Sequence, residues 1–168
     1  MTLYETIKLL EYIAISQPNI NGIVESGDIF DLSKDEYEQK YSAFCVTQNT
    51  HNINAEFSTF NFTLFYVDRL TLDKNNKLEI HSTAVQFFQN FIKTILDKVP
   101  ELNIENGNVT TFTERFSAEC AGAYMQCSIT TPNISLCSII KTELGEFAPE
   151  EFSDDYFKWV INYLDGKS

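Results

Sequence analysis

A chain of 168 residues with 43% hydrophobic and 14% aromatic residues can fill the core of one domain and leave apolar surface for a partner. Its formal charge of −12, from 24 acidic against 12 basic residues, excludes a grip on nucleic acid or anionic lipid unless the basic residues cluster, and they are scattered. Cys45, Cys120, Cys127 and Cys137 are spaced too irregularly for a structural zinc site and read as reduced thiols of a cytoplasmic product; no secretory or membrane-spanning run is visible.

Thr2-Leu3-Tyr4-Glu5 has the form of a capping box, ahead of Leu3, Ile7, Leu10 and Ala14 at helical spacing with Ile13 beside them. The spacing predicts a helix over 3–16, stopped by Pro18. Asn21-Gly22 and Ser26-Gly27 bracket a short run, Ile23-Val24-Glu25. "GDIFDL" then reads as a second extended piece and "SKDEYEQKY" as one helical turn. A strand is predicted at 41–48, "YSAFCVTQ", a loop tip at 49–52, "NTHN", and a long strand at 53–68, "INAEFSTFNFTLFYVD". Along that strand Phe57 shares a face with Thr59 and Asn61, while Phe60, Phe62, Leu64 and Tyr66 share the other. Its first half is half-polar and its second half apolar on both faces, the pattern of a hairpin arm with its base in the core and its tip outside.

"DKNNK" at 73–77 is a polar turn. Ile80, Ala84, Phe87, Phe88, Phe91, Ile92, Ile95, Leu96 and Val99 then follow the i, i+3, i+4 rule over about five turns, with His81 or Ser82 as cap and Pro100 beyond the end. Asn106-Gly107 reads as a turn before a strand at 109–116. A further strand at 119–131 sets Ala121, Ala123, Met125, Cys127 and Ile129 on one face, and Tyr124, Gln126, Ser128 and Thr130 on the other. Gly122 within it marks a bulge or a close backbone approach. Beyond Pro132 the core-type alternation stops; "ISLCSIIKTEL" is compatible with a strand, and Ser153 ahead of "DDYFKWVINYL" with a terminal helix. The order α-β-β-β-α-β-β argues for an α+β fold, an antiparallel sheet with helices packed on one side, a long hairpin arm and a C-terminal extension.

Reactive constellations are sparse. Glu25, Asp28 and Asp31 lie close in sequence, but without the dense alternation of oxygen ligands that a hard cation needs. His51 and His81 have no local nucleophile motif and read as capping or solvated residues. Asp68-Arg69, at the end of the apolar strand, is compatible with a catalytic Asp but better suits a turn cap or a pair across a subunit boundary. No catalytic residue, metal site or cofactor is expected.

In this order the segments "ISQPNINGIVESGDIFDLSKDEYEQKYSAFCVT", "NFTLFYVDRLTLDKNNKLEIHSTAVQFFQNFIKTIL" and "RFSAECAGAYMQCSIT" resemble the tail-terminator, or tail-completion (neck), proteins of tailed phages, most of all those of crAss-like phages of gut Bacteroidales. The likeness covers about 10–131. "YSAFCVT" lacks a Pro that the pattern carries after the aromatic, and 132–168 has no counterpart. The resemblance implies a domain over 1–131 and an extension over 132–168. It implies a non-enzymatic virion protein made in the host bacterial cytoplasm and assembled as a closed ring, sixfold or twelvefold, at the head–tail junction. Portal or connector and tail proteins would be its neighbours, DNA would pass through without sequence-specific binding, and no membrane would be involved. The alternative is a small acidic host-interaction or ligand-binding protein of a phage.

On that reading the interface between ring subunits would use Thr50, His51, Asn52, Ile53, Asn54 and Phe57 on the arm, with Asp68 and Arg69. Phe152, Tyr156, Phe157 and Trp159 would either dock an adjacent ring or close the subunit's own core. Glu25, Asp28, Asp31, Asp35 and Glu36 would face either the channel, where carboxylates keep DNA from sticking, or the outer solvent.

Overall fold

The computed structural model describes residues 1–24, 27–33, 41–54, 56–100, 102–114 and 120–132. Helix α1 spans Leu3–Ile15. Its capping box forms as the sequence predicts: Glu5 N donates to Thr2 Oγ1 at 3.2 Å, and Thr2 N donates to Glu5 Oε2 at 2.6 Å. Two of the helix's first N–H groups thereby find acceptors.

Six strands follow: β1 (Gly22–Val24), β2 (Ala43–Gln48), β3 (Asn52–Ile53), β4 (Phe57–Arg69), β5 (Asn103–Thr113) and β6 (Cys120–Pro132), with helix α2 (Lys77–Lys98) between β4 and β5. They form one sheet in the order β1-β2-β4-β6-β5, and β3 pairs with β4 beyond the end of β2. Both helices lie on one face of the sheet, so the fold is α+β. Every pairing is antiparallel except that of β1 with β2, which is parallel.

The main core lies between this face and the helices. Leu10, Ile13 and Ala14 of α1 and Phe87, Phe88, Phe91 and Ile95 of α2 meet Phe44, Phe62, Leu64, Tyr66, Met125 and Ile129 of the sheet. Phe87 is its aromatic centre, with ring centroids 5.2–5.6 Å from those of Phe44, Tyr66, Phe88 and Phe91. The Phe-rich face of α2 is therefore packed core, with tilted and edge contacts favourable to aromatic quadrupoles. A second cluster on the opposite face joins Val24, Ile29, Ala43, Cys45, Phe65, Val67, Phe112 and Cys120. Two-sided burial explains why β4 is apolar on both faces from Phe65 to Val67.

Several expected boundaries move. The segment read as extended at "GDIFDL" is a 3-10 turn over Ile29–Ser33, opened by Asp28 Oδ1 accepting from Phe30 N at 3.0 Å. Helix α2 starts at Lys77, ahead of His81 and Ser82, because its first turn is exposed apart from Ile80 and leaves no apolar stripe to read. His81 instead ties the helix to β5, with Nε2 2.9 Å from the Phe112 carbonyl. Strand β5 begins at Asn103, and Asn106-Gly107 is a bulge within it, where the pairing shifts between Asn106–Cys127 and Val109–Met125. Gly122 is the close approach: a Cβ there would sit 1.9 Å from the Tyr66 carbonyl oxygen.

Candidate functional site

The arm is built from β2, β3 and the first half of β4. Gln48 pairs with Phe62 and Asn52 with Thr59, so three residues on one side oppose two on the other. This one-residue bulge is stitched by side chains. Asn49 N donates to Asn61 O at 2.9 Å, Asn61 N donates to His51 Nδ1 at 3.3 Å, and Asn61 Nδ2 donates to the Thr50 carbonyl. The His51 ring stands edge-on to Phe60, 5.5 Å between centroids, with Phe62 at 6.0 Å. His51 is therefore a fastening at the root of the arm.

The arm turns at 54–57, not at 49–52 as expected. Asn54 Oδ1 accepts from Glu56 N at 2.9 Å and from Phe57 N at 2.7 Å, and Asn54 N donates to the Phe57 carbonyl at 3.0 Å. This side-chain-held turn carries Ile53 at 70% exposure and Phe57 at 45%. Ile53 is opposite Ser58 and shares its face; Phe57, one residue earlier, points to the other face, opposite Pro132. The tip thus offers an apolar side chain on each side.

Thr50, His51, Asn52, Ile53, Asn54 and Phe57 come together at this end. Asp68 and Arg69 do not join them: they lie at the far end of β4, roughly 40 Å away at about 3.3 Å per residue. There Asp68 Oδ1 accepts from Arg69 N at 2.7 Å, the Arg69 carbonyl accepts from Asn76 Nδ2 at 3.0 Å, and Asn76 Oδ1 accepts from Thr71 N at 3.0 Å. Burial pushes the Asp68 carboxyl above its usual range, against the bond from Arg69 N, and Glu79 adds to the rise. Leu72 and Leu78, which sequence reasoning passed over, are strongly exposed on this loop and the first turn of α2. Their signal was two leucines flanking a polar insert, "LDKNNKL", outside any apolar stripe.

Asp28 is exposed and Asp31 half-buried, both beside β1 and β2 on the face away from the helices. Glu25, Asp35, Glu36, Phe152, Tyr156, Phe157 and Trp159 lie outside the described residues. The outer face of the sheet near the arm is polar, with an open groove of about 410 Å³ beside Asn49, Asn61, Glu105, Gln126 and Ser128. Ser128 Oγ donates to Asn61 Oδ1 at 2.6 Å and Asn49 Nδ2 to Thr63 Oγ1 at 3.0 Å, so three of the groove's polar side chains already have partners.

Burial pushes the Cys45 and Cys127 thiols up to about 12, which leaves almost no thiolate at neutral pH. Among the described residues no three His, Cys, Asp or Glu side chains converge as a metal-ligand set, and no helix is long and apolar enough to cross a membrane. No protein-family model matches the chain, and no curated protein sequence matches it either.

Proposed function

We propose that the chain is a structural subunit that joins copies of itself head to tail, with the arm tip as one half of the contact. The observation that carries this reading is the pair of exposed apolar patches at opposite ends of β4: Ile53 and Phe57 at the tip, Leu72 and Leu78 at the other end. A closed ring requires two different patches on each copy, one meeting its complement on the next. Trimming either patch should leave the fold intact, because all four side chains are exposed.

The likeness to tail-terminator proteins supports placing such a ring at a phage head–tail junction, between portal or connector and tail, with sixfold or twelvefold symmetry. There the protein would act without catalysis or cofactor, and would let DNA pass without binding it. The exposed carboxylate of Asp28 would then serve at the channel wall or on the outer surface. Residues 132–168, with Phe152, Tyr156, Phe157 and Trp159, would dock a neighbouring ring or complete the subunit. Imaging intact particles with the chain localised tests the placement. A ring of density at the neck is the expected result, and particles that lack the protein would overturn it.

The polar groove beside Asn61 and Ser128 is the feature that favours the alternative, a ligand-binding protein. Saturable binding of a small polar ligand, lost in a Gln126→Ala variant, would support that alternative over the structural role.

A further inference from the structure

Among the described residues, strand β5 is an edge of the sheet. Glu114 N donates to the Cys120 carbonyl at 2.8 Å. In an antiparallel ladder, inward and outward backbone groups alternate residue by residue. Phe112, opposite Gly122, therefore turns its N–H and carbonyl toward β6, while those of Val109, Thr111 and Thr113 point away. No strand among the described residues pairs with that edge. Thr110 and Thr111 are exposed.

Exposed edges are usually blunted by Lys, Pro or a bulge. The bulge at Asn106-Gly107 blunts the first part of β5. The stretch after it, Val109-Thr110-Thr111-Phe112-Thr113, has no charge, no Pro and no Gly, and is β-branched or aromatic throughout. Within 109–113 the sequence therefore carries no charge, Pro or bulge-forming Gly against pairing.

We infer that Val109–Thr113 is a pairing edge for the same strand of a second copy, antiparallel about Thr111. In that register Thr111 meets Thr111 and Val109 meets Thr113, outward groups against outward groups. The next pair outward sets Asn108 against Glu114, whose carboxylate is paired with Lys74. No two carboxylates come opposite each other. For a chain of charge −12, whose surface repels its own copies, an uncharged edge is where a second copy can approach. The contact is two-fold and does not depend on the head-to-tail contact at the arm tip.

Hydrogen exchange on the wild-type protein, from micromolar to millimolar, tests this together with a Thr111→Pro variant. Proline removes only an outward N–H, so the ladder to β6 is kept. The amides of Val109, Thr111 and Thr113 are expected to slow as concentration rises. Thr111→Pro is expected to weaken two-fold association by at least about tenfold, with the amides facing β6 still protected. Exchange at those three amides that ignores concentration overturns the inference, whether or not the variant folds. So does a folded Thr111→Pro protein that associates as tightly as wild type, or protection that appears only when a different protein is added.

Discussion

At Gly122 the backbones of β6 and β4 come too close for any side chain. The Tyr66 carbonyl would lie 1.9 Å from a Cβ, and the Phe112 ring at 3.1 Å is packed behind it. A carbonyl inside a sheet cannot move aside without breaking its ladder, so Gly122→Ala should destabilise the protein by about 3 kcal/mol or more, read as a lower urea midpoint. Asp68 gives a second residue-scale expectation. Its carboxyl is raised by burial, so the folded protein binds the proton more tightly than the unfolded chain. Its contribution is fully present below the ordinary value of 3.8 and is lost as pH rises through the folded value. Asp68→Asn, which can still accept from Arg69 N, should melt higher than wild type at pH 7, and the difference should close as the pH falls below 3.8. A difference that persists unchanged at pH 3 would assign the effect to something other than ionisation. A glycine inside an alternating strand marks either a bulge or a close approach, and the Tyr66 carbonyl across the ladder decides for the close approach at Gly122. The burial of Asp68 was not legible in the sequence, because it depends on α2 and β6 folding over the end of β4.

Elements were legible where their signal is local. The capping box of α1 is four consecutive residues, and both of its hydrogen bonds form. Thr2→Ala should cost about 1 kcal/mol, measured by denaturant unfolding, because one helix N–H loses its acceptor. The buried stripe of α2 and the inward face of β6 were likewise visible as periods of 3.6 and 2. The arm was visible as an arm, but its turn was misplaced. Alternation runs on unbroken from Ile53 into β4, and nothing local says that a bulge at 49–51 shifts the pairing. Asn54 was the available clue, since an Asn that accepts from the next two free N–H groups marks a turn. Asn106-Gly107 failed the opposite way. The dipeptide suits a turn and a bulge equally, and the choice is made by Cys127 and Met125 across the ladder.

At the scale of the whole molecule, aromatic side chains among the described residues take both buried and exposed places. Phe44, Phe62, Phe87, Phe88 and Phe91 fill the layer between helices and sheet, while Phe57 stands outside at the arm tip with Ile53. The far end of β4 presents Leu72 and Leu78. In the proposed head-to-tail contact the arm tip is one half, and Leu72 and Leu78 stand at the same end of β4 as Asp68 and Arg69, outside any apolar stripe that sequence periodicity could show. The head-to-tail account makes a demand that a single-patch account does not. A copy with a trimmed tip and a copy with a trimmed far end each keep one working patch, and those two patches complement each other. The direct measurement is sedimentation equilibrium of Ile53→Ser/Phe57→Ser and Leu72→Ser/Leu78→Ser, both in the Thr111→Pro background so that edge pairing cannot contribute. Each variant alone should be a monomer, and an equimolar mixture should form dimers and stop there. Variants that assemble alone as the parent does, or a mixture that stays monomeric while the parent assembles, would contradict the account.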